Sequence, residues 1–220
     1  MASGPAVLWD LDGTLTNSFL GISRSLQHVM RALGHPVPEA ESLRQYIGPP
    51  MQATLTRLVG DDPARVAEGL RLYRERYGAV GKLENEVIPG IPEALEAVAR
   101  SGPRMFVATS KLETYSVDIV RHFGLQPYFQ AVHGSQLDGA RADKGELIAH
   151  VLEAESLDPG RTVMIGDRLH DVSGALKNGV AVVGVLWGFG DRAELEAAGA
   201  TAIAEHPAEL PALIERLAGT

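Results

Sequence analysis

The 220-residue sequence predicts an α/β fold: a parallel sheet built from β-α-β units and interrupted by a helical insert. Three observations carry this. Short apolar runs of strand length alternate with segments of helical periodicity, the pattern of parallel strands joined by crossover helices. Polar motifs follow several of those runs, at the end where α/β sheets place ligands. One stretch, residues 17–84, breaks the alternation and reads as helix and loop with no strand signal. The expected organisation is a core of residues 1–16 and 85–220 around a helical unit of residues 17–84.

The first run, Ala6-Val7-Leu8-Trp9, is apolar throughout, lacks a helix cap and reads as a short buried strand. It delivers Asp10-Leu11-Asp12-Gly13-Thr14. Residues i and i+2 of a strand point the same way, so Asp10 and Asp12 reach one site. Two anions that close need a cation or a shared proton between them. Gly13 permits a tight turn, and Thr14 offers a hydroxyl and an N–H. Taken alone, the motif also reads as a turn in which Asp12 caps the backbone.

Ser18 then caps a helix with Phe19, Ile22, Leu26, Met30 and Leu33 on one side, closed by Gly34. Further helices are expected over 39–47, 51–59 and 63–80, the last amphipathic through Val66, Leu70, Tyr73 and Tyr77. From Val87 the texture changes. Pro89-Gly90-Ile91-Pro92 starts a helix, and Met105-Phe106-Val107-Ala108 is a second buried strand ending in Thr109-Ser110-Lys111. A helix over 112–123, a strand near 129–133 and a helix opened by Lys144 follow. Thr162-Val163-Met164-Ile165 is the next strand, ending in Gly166-Asp167-Arg168-Leu169-His170-Asp171. A helix through Ala175 and Leu176 stops at Gly179. A strand over 181–186, the loop Trp187-Gly188-Phe189-Gly190, two short helices and an edge strand at Ala202-Ile203 complete the chain.

Composition narrows the function classes. An apolar fraction of 45% with 5% aromatic residues supports an aliphatic core. The net charge of −8 lacks the basic footprint of a nucleic-acid binder. With no cysteine, thiol catalysis, thiolate metal ligation and disulfides are excluded, and a cytoplasmic location fits. No signal-peptide pattern is visible, and no run approaches the ~18 apolar residues of a membrane span. Neither a nucleic-acid partner nor a membrane is expected, for a monomer or homodimer.

Asp10 and Asp12, Thr109 and Ser110, and Asp167 and Asp171 all follow strands, and Lys144 opens a helix, so the whole set converges on the carboxyl edge. Each piece has a plain structural reading. Gly166-Asp167 forms a turn, Asp171 answers a helix dipole, Thr109 and Ser110 cap, and Lys144 is solvated. Together those readings need four unrelated caps to line one edge. Carboxylates with no Cys and no paired His favour Mg²⁺ over zinc. A cation there leaves a site for a phosphate bound by Thr109, Lys144 and turn amides. Neither GxxxxGK[ST] nor GxGxxG is present, so no nucleotide-cradling loop is expected.

Four ordered motifs, Asp10-Leu11-Asp12-Gly13-Thr14, Val107-Ala108-Thr109-Ser110-Lys111, Lys144, and Gly166-Asp167 through Asp171, resemble the haloacid dehalogenase-like superfamily in its phosphoglycolate phosphatase-like branch. The resemblance spans essentially the whole chain. It implies a Rossmann-like parallel sheet with helices on both faces and a helical-bundle cap between the first two motifs. It implies Asp10 as the nucleophile that forms an aspartyl-phosphate and Asp12 as general acid/base, with Thr109 and Lys144 holding the phosphoryl group. Mg²⁺ would be bound by Asp10, the backbone carbonyl of Asp12, and Asp167, with Asp171 in support. Gly13, Thr14, Ser110 and Lys111 join the expected substrate contacts. So do Pro49 and Pro50, because Gly48-Pro49-Pro50-Met51 resembles the loop relatives lower over the substrate. Ser110 stands where relatives often carry Asn, and its hydroxyl can still bond to phosphate. Leu137-Asp138-Gly139 and Leu186-Trp187-Gly188-Phe189-Gly190 look like a sub-branch labelled 5′-nucleotidase or phosphatase.

The expected activity is Mg²⁺-dependent phosphomonoester hydrolysis, phosphoglycolate phosphatase-like. Alternatives on the same scaffold are a 5′-nucleotidase and an aryl or tyrosine phosphatase. A dehalogenase needs no metal, and relatives with that chemistry lack the second Asp. A phosphomutase shares all four motifs, and a catalytically retired binding protein is the reading from another class. His170 reads as a solvated helix start and Trp187 as core. Lys111 is either a charge beside the site or surface.

Overall fold

The computed structural model describes residues 4–219. Strand β1 (Ala6–Trp9) is followed by the two-residue strand β2 (Thr16–Asn17). Helices α1 (Phe19–Ala32), α2 (Met51–Val59) and α3 (Pro63–Ala79) form the insert, and β3 (Glu86–Val87) ends it. Then come α4 (Ile91–Arg100), β4 (Arg104–Leu112), α5 (Glu113–His122), β5 (Ala131–Ser135), α6 (Lys144–Ala154) and β6 (Thr162–Gly166). The chain closes with α7 (Leu169–Lys177), β7 (Ala181–Val185), α8 (Arg192–Ala198), β8 (Ala202–Ala204) and α9 (Leu210–Ala218).

Six strands make one sheet in the order β5-β4-β1-β6-β7-β8, with every pair parallel. Alternation along the strands sends Val7, Trp9, Val107, Ile165 and Val183 to one face, against Leu95 and Val98 of α4, Ile119 of α5 and Ile214 of α9. Leu8, Phe106, Met164 and Val182 go to the other face, against Leu147 and Val151 of α6, Val172 of α7 and Leu195 of α8. Both faces are buried, which is why the strands read as unbroken apolar runs. From β1 the chain steps outward through β4 and β5, then crosses to β6 and steps outward the other way. That reversal opens a crevice between the carboxyl ends of β1 and β6.

The insert has its own apolar cluster, including Leu26, Val29, Leu43, Leu55, Val59, Val66, Tyr73 and Tyr77. Its two crossings are not free loops: β2 and β3 pair antiparallel, Thr16 with Val87 and Asn17 with Glu86. Asn17 Nδ2 donates to Glu86 Oε1 at 3.0 Å. Two-residue strands are too short for periodicity to reveal, so the sequence reading of this region held no strand.

Other boundaries differ for local reasons. The helix expected over 39–47 is a 3₁₀ turn, Glu41–Tyr46, cut off where Ile47 turns extended before the Pro49-Pro50 loop. Ser18 makes no side-chain cap to α1; Asn17 Oδ1 accepts from Phe19 N at 3.3 Å instead. Leu112 belongs to β4, whose pairing with β5 shifts register between Thr109 and Leu112. The strand expected near 129–133 starts at Ala131, after the 3₁₀ turn Gln126–Tyr128. Among the described residues no helix is long and apolar enough to cross a membrane.

Candidate active site

The crevice is floored by carboxylates. Asp10, the first residue past β1, is buried, and its N–H donates to Ile165 O at 2.9 Å, tying β1 to β6. Asp143 caps α6 by accepting from Glu146 N at 3.0 Å and so aims Lys144 into the crevice. Lys144 Nζ lies 2.8 Å from Asp10 Oδ1, 2.8 Å from Asp171 Oδ1 and 3.0 Å from Ala108 O. Its contacts with Asp10 Oδ1 and Ala108 O are hydrogen bonds, whereas Asp171 Oδ1 is paired by charge alone, so toward Asp171 Lys144 contributes charge and position. Asp167 is buried at the end of β6. Its Oδ2 accepts from Phe189 N at 2.7 Å, and its Oδ1 has no hydrogen-bond partner among the described residues. Ligand oxygens of Asp10, Asp167 and Asp171 all lie within 4.8 Å of one another.

Burial raises the Asp167 carboxyl well above the ordinary carboxylate range, and the Asp171 and Asp10 charges push the same way. Burial likewise lifts Asp171 to about 6, although Lys144 opposes it. For Lys144 burial acts downward, but Asp10 and Asp171 more than offset it and hold the ammonium charged. Lys144 pairs with Asp10 and Asp171 but not with Asp167, on which the Arg168 charge acts more weakly than burial and the two neighbouring carboxylates. Backbone shape maintains the crowding. Gly13 sits at φ 83°, and a Cβ there would lie 2.1 Å from Asp167 Oδ2. A Cβ on Gly188 would lie 2.3 Å from Asp167 Cβ, so both turns close on that carboxylate only as glycines.

Above the floor lies a cavity of about 210 Å³ between core and insert. Asp10, Asp12, Thr109, Ser110, Lys111, Lys144 and Asp171 line it from the core. Gly48, Pro49, Pro50 and Met51 line it from the insert, and Tyr46, Tyr73, Tyr77 and Tyr115 form an aromatic wall. Asp12 stays outside the carboxylate cluster, with its Oδ2 2.6 Å from Lys111 Nζ. Thr109 Oγ1 faces the same space and accepts from Lys111 N at 3.3 Å.

The expected residues Asp10, Asp12, Thr109, Ser110, Lys111, Lys144 and Asp171 are thus brought together with Pro49 and Pro50, and Asp167 lies beneath them. Gly13 and Thr14 are not brought to the cavity. Their N–H groups are used within the turn, on Thr16 O at 2.8 Å and Leu11 O at 3.4 Å, and Thr14 is fully buried. His170, read as a solvated helix start, is half-buried and lines the cavity. Trp187 packs against the core as expected and donates from Nε1 to Thr14 O at 3.1 Å. Sequence reasoning missed Arg168, which bonds to Ile47 O on the insert and to Glu194 Oε1. It also missed the tyrosine wall, because Tyr73 and Tyr77 on a helical stripe read as plain core.

The fold and the site define a hydrolase of the α/β class with a helical insert over its catalytic edge. The chain belongs to the haloacid dehalogenase-like hydrolase family, whose model matches residues 7–185. A Pseudomonas aeruginosa protein named 5′-nucleotidase is 46% identical, covering 88% of this chain and 87% of its own. The tyrosine-protein kinase PtkA of Mycobacterium tuberculosis is 39% identical, covering 96% of this chain and 72% of its own. The solved structure of a predicted phosphatase from Clostridium acetobutylicum matches with a TM-score of 0.93 at 37% identity, covering 98% of this chain and 100% of its own.

Proposed function

We propose that this chain is a Mg²⁺-dependent phosphomonoester hydrolase that works through an aspartyl-phosphate on Asp10 and acts on a small phosphorylated metabolite. Asp10 is the observation that carries the reading. It is buried at the end of the central strand, joined to Lys144, grouped with two further carboxylates and open to the cavity.

The donor set fits a hard divalent cation: three buried carboxylates, no sulfur or imidazole among them, and one Asp167 oxygen with no partner among the described residues. Asp10, Asp167 and Asp171 would hold Mg²⁺, with the Asp12 carbonyl that the family resemblance implies. Bound there, the ion supplies the positive charge that lets a phosphate dianion approach an aspartate.

In the first half Asp10 attacks phosphorus, the ester P–O bond breaks, and the Asp12 carboxyl gives its proton to the leaving oxygen. The products are the alcohol and an acyl phosphate on Asp10. Next, a water oxygen attacks that phosphorus, and Asp12 takes the water's proton. The bond to Asp10 then breaks and inorganic phosphate departs, leaving both side chains restored. Thr109 Oγ1 and the Lys144 charge face the phosphoryl group throughout. Residues 17–84 act as a lid over the core of residues 1–16 and 85–220, excluding water while the ester is intact.

The wall facing the alcohol favours an aromatic leaving group, a nucleoside or an aryl ring, over the short carboxylate of phosphoglycolate. Tyr46, Tyr73, Tyr77 and Tyr115 offer ring faces, with the amides of Gln52 and Gln136 alongside. Arg74 and Arg168 also line the cavity but are turned to the carbonyls of Leu137 and Ile47. The name of the Pseudomonas relative agrees with this choice. A panel of nucleoside monophosphates, aryl phosphates and phosphoglycolate, assayed with Mg²⁺ and with EDTA, tests the reading. Activity should need Mg²⁺ and favour aromatic esters, and Asp10→Asn should abolish it. Full turnover in chelator, or by the Asn variant, would remove the mechanism.

A further inference from the structure

We propose that Lys111 is a positioning residue for the second half of the reaction, holding the Asp12 carboxylate where it takes the proton from water, and doing so in register with the helical insert. This rests on the aspartyl-phosphate reading above and assigns a device within it.

Lys111 sits where β4 loses register with β5, between Thr109 and Leu112. Such an irregularity re-aims the side chains it carries, and here it sends Lys111 inward, leaving its side chain 7% exposed. The Nζ atom lies 2.6 Å from Asp12 Oδ2. The other oxygen, Asp12 Oδ1, is buried and has no hydrogen-bond partner among the described residues. One oxygen is anchored and the other is free, which is the arrangement a general base requires. The ion pair fixes the direction of the Asp12 side chain. It also keeps that carboxylate out of the Asp10, Asp167 and Asp171 cluster, where a cation would otherwise draw it in.

The second anchor belongs to the insert. Lys111 Nζ also donates to the phenol oxygen of Tyr77 and lies 4.5 Å from that ring's centroid. Tyr77 is on α3, stacked on Tyr73 at 5.3 Å and packed against Tyr115 of α5 at 5.6 Å. Burial holds the Tyr77 hydroxyl well above its ordinary pKa, so it is a neutral acceptor and does not compete with Asp12 for the ammonium charge. Lys111 is therefore fixed by Asp12 from the core and by Tyr77 from the insert, and displacing the insert removes one of its two anchors.

The test uses 4-nitrophenyl phosphate with Mg²⁺, because its leaving group departs without a proton. On this substrate kcat/KM reports formation of the aspartyl-phosphate, and kcat includes its hydrolysis. Lys111→Met should lower kcat by about tenfold or more while kcat/KM falls by a much smaller factor. A pre-steady-state burst of 4-nitrophenolate and a trappable phosphoenzyme should accompany the change. Tyr77→Phe should show the same split at smaller size, and Lys111→Arg should restore kcat relative to Lys111→Met. Asp12→Asn is the control. If it accumulates no phosphoenzyme, the aspartyl-phosphate reading fails and this assignment falls with it. If Asp12→Asn bursts but Lys111→Met does not, or loses kcat and kcat/KM alike, Lys111 has no such role and the phosphatase reading stands. Should Lys111→Met fail to fold, judged by its thermal melt, the kcat against kcat/KM split in Tyr77→Phe decides: its absence overturns the proposal.

Discussion

Replacing Asp171 by Asn in metal-free protein should raise stability relative to wild type as the pH is taken from about 4 to above 6. Asp171 is fully buried beside Asp10, and the two share Lys144. Burial lifts its carboxyl from 3.8 to about 6, against the pull of Lys144. In the unfolded chain the group returns to about 3.9. Between those values the folded protein holds a proton that the unfolded chain has lost. The stabilising contribution is complete below about 4 and disappears as the pH rises through about 6. The gap corresponds to roughly 3 kcal/mol at neutral pH, an upper bound. For a chain of this size that is a change of about 6–12 °C in melting temperature. The Asn variant removes the titrating group, and the uncharged contacts it alters do not depend on pH. Asp167, also raised by burial and by Asp171, changes the difference in the same direction. Calorimetry in EDTA across the pH series should show the variant gaining on wild type. Mg²⁺ at neutral pH should then stabilise wild type more than the variant. A melting difference constant to within about 1 °C over the range would refute the reasoning.

Three further outcomes follow from the same geometry. Lys144→Met leaves the buried Asp10 and Asp171 without their shared cation, so it should cost about 3–5 kcal/mol in a denaturant melt, with part recovered by Mg²⁺. Gly13→Ala puts a Cβ 2.1 Å from Asp167 Oδ2 at φ 83°. It should cost about 1–3 kcal/mol of stability and weaken Mg²⁺ binding, read by calorimetric titration. Replacing Pro49-Pro50 with Gly-Gly should loosen the loop lining the cavity and change kcat/KM unequally across substrates, least for a small aryl phosphate. Equal losses on every ester would place specificity elsewhere.

The sequence by itself determined the class of the fold, the order of the main strands and helices of the core, and the edge of the sheet to which the polar motifs run. Ala6-Val7-Leu8-Trp9 reads as a short buried strand, and a parallel strand delivers whatever follows it to the carboxyl edge. Asp10, Thr109 and Asp167 were legible for that reason, as was Lys144 at a helix start. These are local properties, set by the period of the side chains and by what ends each element. The tertiary structure decided what local pattern does not encode. It set the strand order that puts β1 beside β6, and so closed Asp10 on Asp167 and Asp171. It turned Tyr73 and Tyr77 from an apolar stripe into a cavity wall, because one helix face meets the insert's core and the cavity together. It also paired Thr16 and Asn17 with Val87 and Glu86 across the whole insert. Finally, it joined Lys111 to both Asp12 and Tyr77, which a register shift in β4 and the seating of α3 achieve together. Contacts of that kind depend on how elements far apart in the chain pack and on the exact direction of a side chain, and no spacing within a single element specifies either.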